Sequence, residues 1–282
     1  MRVVRGCSLK SLSCVLLAGI AASALAAPLP APPAAAALSR ESLPLIADGR
    51  LEGMVWLEGD STRTLAVRYA RWTGAAWEAP QTVSPPGPGS QLALAAARLA
   101  DGTWMLAWSA FDGHDDEIVW SRQANAGGIG GIGRWSRPQR VTADNDVPDI
   151  TPALTATPDG VLLAWSRFDP EEGGYQVVTA RFRAGRWEAP RAAAPVGSLF
   201  PSFAAGTGGS LLLYQTAVPR GWAAVEIDAA GRTGRTAALK MGSNVARREK
   251  PQVTADRSGV TFRWPALGDQ PGEERAADWV RP

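Results

Sequence analysis

Asp112, His114, Asp115, Asp116 and Glu117 fall within six residues, and Asp144, Asp146 and Asp149 follow closely. Asp169, Glu171 and Glu172 form a further acidic group. Carboxylates from adjacent loops supply hard oxygen ligands, so this set could hold a calcium ion or a cationic or hydroxyl-rich ligand. The spacing is not that of an EF-hand, because Asp144-x-Asp146 has no glycine at the sixth position. The competing reading is turn chemistry, where Asp and Asn satisfy local backbone N–H groups and do nothing else. His114 is the single histidine. A Ser-His-Asp arrangement would have to use it, yet no nucleophile elbow lies near. Zinc needs several His or Cys ligands, which are missing. The expected ligand-binding set is Asp112, His114, Asp115, Asp116, Asp146, Asp149, Asp169 and Trp222, with no catalytic residue, no assigned metal ligand, and no cofactor unless calcium.

The elements that must position these residues come from a repeat. Pro152 to Pro195 holds four short apolar segments separated by turn signals. Pro158-Asp159-Gly160 turns the chain, and Val161 to Trp165 is a continuous apolar run, as in a strand covered on both faces. The turn glycine recurs as Gly49, Gly102, Gly160, Gly209 and Gly259. The aromatic after it recurs as Trp56, Trp108, Trp165, Tyr214 and Trp264. A Trp-x-x-Pro recurs at Trp77, Trp135 and Trp187, its proline suiting an outer strand. Intervals of about 50 residues with four strands each predict an all-β protein, a β-propeller of about five four-stranded blades. The fifth blade reads as three strands, so Pro33 to Arg40 is expected to close the ring as its outer strand.

Residues 1–26 read as a secretory signal peptide, with Arg2, Arg5 and Lys10 before an apolar run and Ala24-Leu25-Ala26 at the cleavage site. Residues 27–41 read as a Pro/Ala-rich leader, and 42–282 as one propeller domain. Export to the periplasm or beyond follows. Cys7 and Cys14 both fall in the removed part, so the core must suffice without disulfides. A formal charge of +2 gives no case for nucleic acid. No membrane span is expected, and the chain is read as a monomer. Twelve Trp against three Tyr and six Phe is the texture of propellers and sugar binders.

Blade geometry sorts the charges. One face is expected to collect Arg68, Arg71, Arg122, Arg134, Arg183, Arg186, Arg232 and Arg235, and so to be basic. The other should be acidic over blades two and three, with Arg247, Arg248 and Lys250 opposite. The recurring second-strand aromatics are expected between blades. Trp77, Trp135 and Trp187 should pack at the edge. Trp72 and Trp222 break the repeat and are candidates for ligand contact.

Asp101-Gly102 to Trp108-Ser109, Asp159-Gly160 to Trp165-Ser166, and Gly185-Arg186-Trp187 together resemble the sialidase-like, BNR-repeat propellers over nearly the whole exported chain. No intact Asp-box occurs, Thr157-Pro158-Asp159-Gly160 being a distant echo. The resemblance implies an arginine triad, a Tyr/Glu nucleophile pair and an acidic acid/base. The expected inner strands carry almost no charge, Arg98 excepted, so the fold carries over and the activity does not. The expected function is a non-catalytic propeller binding a glycan or a protein through its loop face. The alternative is a glycoside hydrolase with an atypical pair among Asp112, Asp146, Asp149 and Asp169.

Overall fold

The computed structural model describes residues 39–59, 65–87, 89, 91–124, 133–142, 145–204, 211–228, 230–239, 252–256, 259–263 and 273–276. The expected signal peptide, residues 27–38 of the expected leader, Asp60, Asp144, Gly209, residues 125–132 of the glycine-rich insert, Arg247, Arg248, Lys250 and Trp264 lie outside them.

Among the described residues all regular structure is strand, in five antiparallel sheets that follow the chain. Blade one is β1 (Ser39–Ala47), β2 (Arg50–Glu58), β3 (Ala66–Arg71) and β4 (Gln81–Ser84). Blade two is β5 (Gln91–Arg98), β6 (Trp104–Phe111), β7 (Asp116–Arg122) and β8 (Gln139–Arg140). Blade three is β9 (Asp149–Thr157), β10 (Gly160–Asp169) and β11 (Gly174–Arg183), with β12 (Arg186–Trp187) and β13 (Arg191–Ala192) both pairing β11. Blade four is β14 (Ser198–Phe203), β15 (Leu211–Ala217), β16 (Arg220–Ile227) and β17 (Thr233–Leu239). Blade five is β18 (Gln252–Asp256), β19 (Gly259–Arg263) and β20 (Glu273–Ala276). The first strands of successive blades lie side by side, β1 by β5, β5 by β9, β9 by β14 and β14 by β18. This is the expected propeller.

The core lies between blades. Trp108 packs with Leu45, Val55 and Val67 of blade one. Trp165 packs with Ala95, Met105 and Trp120 of blade two. Tyr214 meets Leu162 and Val177 of blade three. The continuous apolar runs of second strands are therefore covered on both faces, as their composition requires. Trp56, Trp108 and Trp165 are buried, and their recurrence is a packing signal. Trp135 sits edge-on to Tyr69 at 5.2 Å, and Trp187 lies 5.1 Å from Phe182, so the outer tryptophans close the rim.

The repeated prolines sit differently from expectation. Pro190 falls between β12 and β13, not within a strand. Pro138 falls between the Gln123–Trp135 bridge and β8, and Pro80 between the Trp72–Trp77 bridge and β4. Each outer strand pairs briefly, breaks at the residue that lacks an N–H, and resumes.

The first strands also begin earlier than the apolar pattern suggests. Ser39 pairs with Glu58 and Ser42 with Trp56, so Ser39 and Arg40 belong to the inner strand of blade one. They do not close blade five, and the leader ends before them. The remainder of the expected closing segment, Pro33 to Leu38, lies outside the described residues. The extension brings Glu41, Gln91, Asp149 and Ser198 into first strands. These strands are thus not uniformly apolar, as the sequence pattern had implied.

A bulge recurs in these strands. Ala93, Thr151 and Phe200 take positive φ of 56°, 55° and 53°, each at a register shift against the second strand. The bulge turns backbone N–H groups away from the ladder, and the preceding blade receives them. Glu41 accepts from Ala93 N at 2.9 Å and Leu94 N at 2.7 Å. Ser166 Oγ accepts from Phe200 N at 3.2 Å. Glu41→Ala is expected to cost about 1–3 kcal/mol, because two N–H groups lose a charged acceptor. Denaturant unfolding with an unchanged midpoint would show that water replaces the carboxylate at no cost.

Candidate functional site

The acidic loop of blade two is a hairpin. Phe111 pairs with Asp116, and Asp112 N donates to Asp115 O at 3.0 Å. Asp112 Oδ1 accepts from His114 N at 2.8 Å and Asp115 N at 3.3 Å, and Arg140 Nη2 lies 2.8 Å from Oδ2. The His114 N–H, the Asp115 N–H and Arg140 together hold the Asp112 carboxyl below its usual range. Asp169 plays the same part in blade three, accepting from Glu171 N at 2.9 Å and Glu172 N at 3.1 Å. These two residues build their turns, as turn chemistry alone would have them do.

The rest of the expected set divides. His114 Nε2 lies 3.3 Å from Asp146 Oδ1, both side chains well exposed. Asp149 is sealed from solvent and fully engaged. It accepts from Trp165 Nε1 at 2.5 Å, Arg167 Nε at 2.9 Å, Arg167 Nη2 at 3.1 Å and Asn145 Nδ2 at 3.1 Å. It is a structural clasp with no free face for a ligand. Asp116 is half-buried, and burial followed by the Asp115 and Asp112 charges raises its carboxyl. The structure gathers Asp112 and Asp115 with Glu117 and leaves the others apart.

Trp222 is not a ligand contact. It is the third residue of β16, 1 % exposed, and packs 5.2 Å from Phe262 between blades four and five. Its place beside Ala224 and Leu213 makes it core.

The basic face is also corrected. Its arginines meet acids from the first turns of the blades. Arg122 pairs with Asp101 in blade two, and Arg181 and Arg183 pair with Asp159 at 2.9 and 3.2 Å in blade three. The turn Asp of the Asp-Gly signature thus meets the end of the third strand in blades two and three, and Arg71 and Arg232 pair with Glu78 and Asp228, so part of the expected positive charge is neutralised.

On this face, between blades one and two, lies a cleft of about 720 Å³. Its lining includes Arg50, Glu52, Tyr69, Arg71, Trp72 and Trp104. Glu52 is gripped from blade two by Arg98, Nε to Oε2 at 3.1 Å and Nη2 to Oε1 at 3.0 Å, and by Trp104 Nε1 at 2.9 Å. Trp72 follows β3 and leans on Trp77 at 5.0 Å. The next residues are tied by Thr73, whose Oγ1 donates to Ala76 O at 2.9 Å. Asp101, at the cleft edge, is pushed up by burial, but the two Thr103 hydrogen bonds and Arg122 outweigh that and hold it low. Of these residues the sequence had marked Trp72 as a tryptophan out of step with the repeat, Arg98 as the one charge on an inner strand, Arg71 as part of the basic set and Asp101 as a turn residue, but nothing joined them into one site. Glu52, Arg98 and Trp104 converge across a blade boundary and no local spacing betrays them.

No protein-family model matches this chain, and no curated protein matches it. Among solved structures it is similar to a protein of unknown function from Dyadobacter fermentans DSM 18053, with 16% identity and a TM-score of 0.54, covering 83% of this chain and 66% of that one. It is also similar to a glycosyl hydrolase from Bacteroides ovatus, with 11% identity and a TM-score of 0.49 over 83% and 82% of the two chains. A GH43 endo-arabinanase from Bacillus licheniformis follows, with 13% identity and a TM-score of 0.42 over 82% and 90%. At such identities the likeness is at most one of fold, and the all-β propeller rests on the successive antiparallel sheets themselves.

Proposed function

We propose that the chain is an exported, non-catalytic propeller that binds a glycan in the cleft between blades one and two. The observation that carries this reading is the lining itself. Trp72 offers an aromatic surface, and Arg50, Arg71 and Glu52 offer charged groups around it. A volume of about 720 Å³ is within the range of small-ligand sites. Aromatic stacking with a few convergent polar groups is the chemistry that recognises a sugar ring and its hydroxyls.

The hydrolase alternative needs two carboxyl groups facing one open space, one of them protonated. In the cleft, Glu52 is ion-paired to Arg98, and Asp101 is held ionised by Thr103 and Arg122. Outside it, Asp149 is sealed, Asp169 caps a turn and Asp112 is tied to Arg140. Within the cleft these engagements favour binding without turnover.

A glycan array probed with the exported chain tests the proposal. Trp72→Ala is expected to weaken the best glycan by roughly tenfold, the value of one aromatic contact. Asp112→Asn, on the acidic loop, should leave it unchanged. Glycan binding that survives Trp72→Ala would move the site elsewhere, and release of reducing ends from a bound glycan would restore the hydrolase reading.

A further inference from the structure

We propose that Asp112, Asp115 and Glu117 form a binding site for a divalent cation, with calcium the ion that fits. The hairpin between β6 and β7 makes the arrangement. Glu117 is the second residue of β7, Asp115 stands in the turn just before that strand, and Asp112 opens the same turn, which brings the three carboxylates together. One ligand oxygen from each lies within 4.8 Å of the others. Calcium holds oxygens at about 2.3–2.6 Å, so ligands on opposite sides of one ion stand about 5 Å apart. Three carboxylates within 4.8 Å can therefore share it.

The second observation is independent of that spacing. Glu117 is fully buried and Asp115 is 7 % exposed. Both oxygens of Asp115 and Oε1 of Glu117 have no hydrogen-bond partner. Thr142 Oγ1 donates to the other Glu117 oxygen, and Arg140 is committed to Asp112. A carboxylate taken from water without a partner is costly, and native folds pair such groups or give them a metal. Here two neighbouring carboxylates turn toward one spot, and among the described residues no donor meets these three oxygens.

Access and selectivity also fit. A cavity of about 460 Å³ is lined by Asp112 and Glu117, together with Trp108 and Arg140, and gives an ion a way in. Magnesium keeps several of its waters, whereas calcium exchanges them for carboxylates readily. A buried set of three carboxylates therefore favours calcium. The site lies on the loop face, away from the cleft that takes the glycan, and its existence does not depend on that reading.

The test is thermal unfolding of the full chain after dialysis against chelator, with calcium chloride or magnesium chloride added back. Calcium at a hundredfold excess over its Kd is expected to raise Tm by about 5–10 °C, and magnesium by less. Glu117→Gln and Asp115→Asn should each abolish most of the calcium shift. In chelator neither variant should melt below the parent, because each removes a buried charge. Asp146→Asn, at an exposed residue outside the cluster, should keep the whole shift. Terbium bound at the site should luminesce on tryptophan excitation through Trp108, and calcium should quench it. No calcium shift and no terbium signal in the parent would overturn the proposal. So would a shift that persists in both Glu117→Gln and Asp115→Asn, or one that Asp146→Asn removes.

Discussion

Asp149→Ala is expected to destabilise the protein by about 3–5 kcal/mol, the cost of removing one partner from a buried ion pair. The magnitude follows from what remains behind. Arg167 keeps its charge with a side chain 23 % exposed, and Trp165 keeps a buried indole N–H with no acceptor. An exposed pair such as Arg232–Asp228 would lose far less on the same change, because water takes over. One term works the other way. Asp149 adds to the charge that raises Glu117, so its loss relieves that neighbour a little. Burial is the leading cause there, so the relief is small beside the broken clasp. Asp149→Asn should cost less than the alanine, since the amide oxygen still accepts from Trp165. Urea unfolding of the three proteins measures this, and a loss for the alanine no larger than for a surface pair would mean that water reaches the site.

Gly160→Ala should rank next, at about 2–4 kcal/mol, from backbone overlap and not from the turn. A Cβ on Gly160 would stand 2.0 Å from the Phe182 carbonyl oxygen and 3.2 Å from its carbon. No side chain can move aside, because the obstacle is the main chain of β11, so the hairpin itself must open. Gly102 in blade two gives the contrast. It adopts φ of 81°, but its nearest neighbour is the Arg98 guanidinium at 3.8 Å. Gly102→Ala should therefore lose only the left-handed penalty of about 1–2 kcal/mol. Equal losses at the two positions, read from unfolding midpoints, would refute the overlap argument.

These two glycines also show where sequence reading succeeds and where it stops. The recurring Asp-Gly, second-strand aromatic and Trp-x-x-Pro mark turns and strands by local chemistry, and the blades follow from their spacing. Contacts between blades obey no such period. Glu52 meets Arg98 across 46 residues and Trp104 across 52, so the cleft was invisible in any one module. Asp101 meets Arg122 across 21 residues, which turned an expected basic face into a row of pairs. Trp222 shows the opposite error. Its departure from the repeat suggested exposure, whereas a tryptophan on a third strand fills the space that facing residues such as Phe262 leave for it. The acidic loop was legible as a cluster, because its residues are neighbours in sequence. Which of them turn inward depended on the turn and on strand packing, which buried Asp115 and Glu117 and left Asp146 exposed.

The bulges impose an order on the modules. The two joints made at Ala93 and Phe200 use different groups, a carboxylate at Glu41 for Ala93 and Leu94 and a hydroxyl at Ser166 for Phe200. A gene that duplicated or shuffled whole repeats would bring mismatched donors and acceptors together at every new seam. Recombination between copies is thereby penalised although their folds are interchangeable, and a consensus version built from one averaged repeat would have to redesign its joints before it could close.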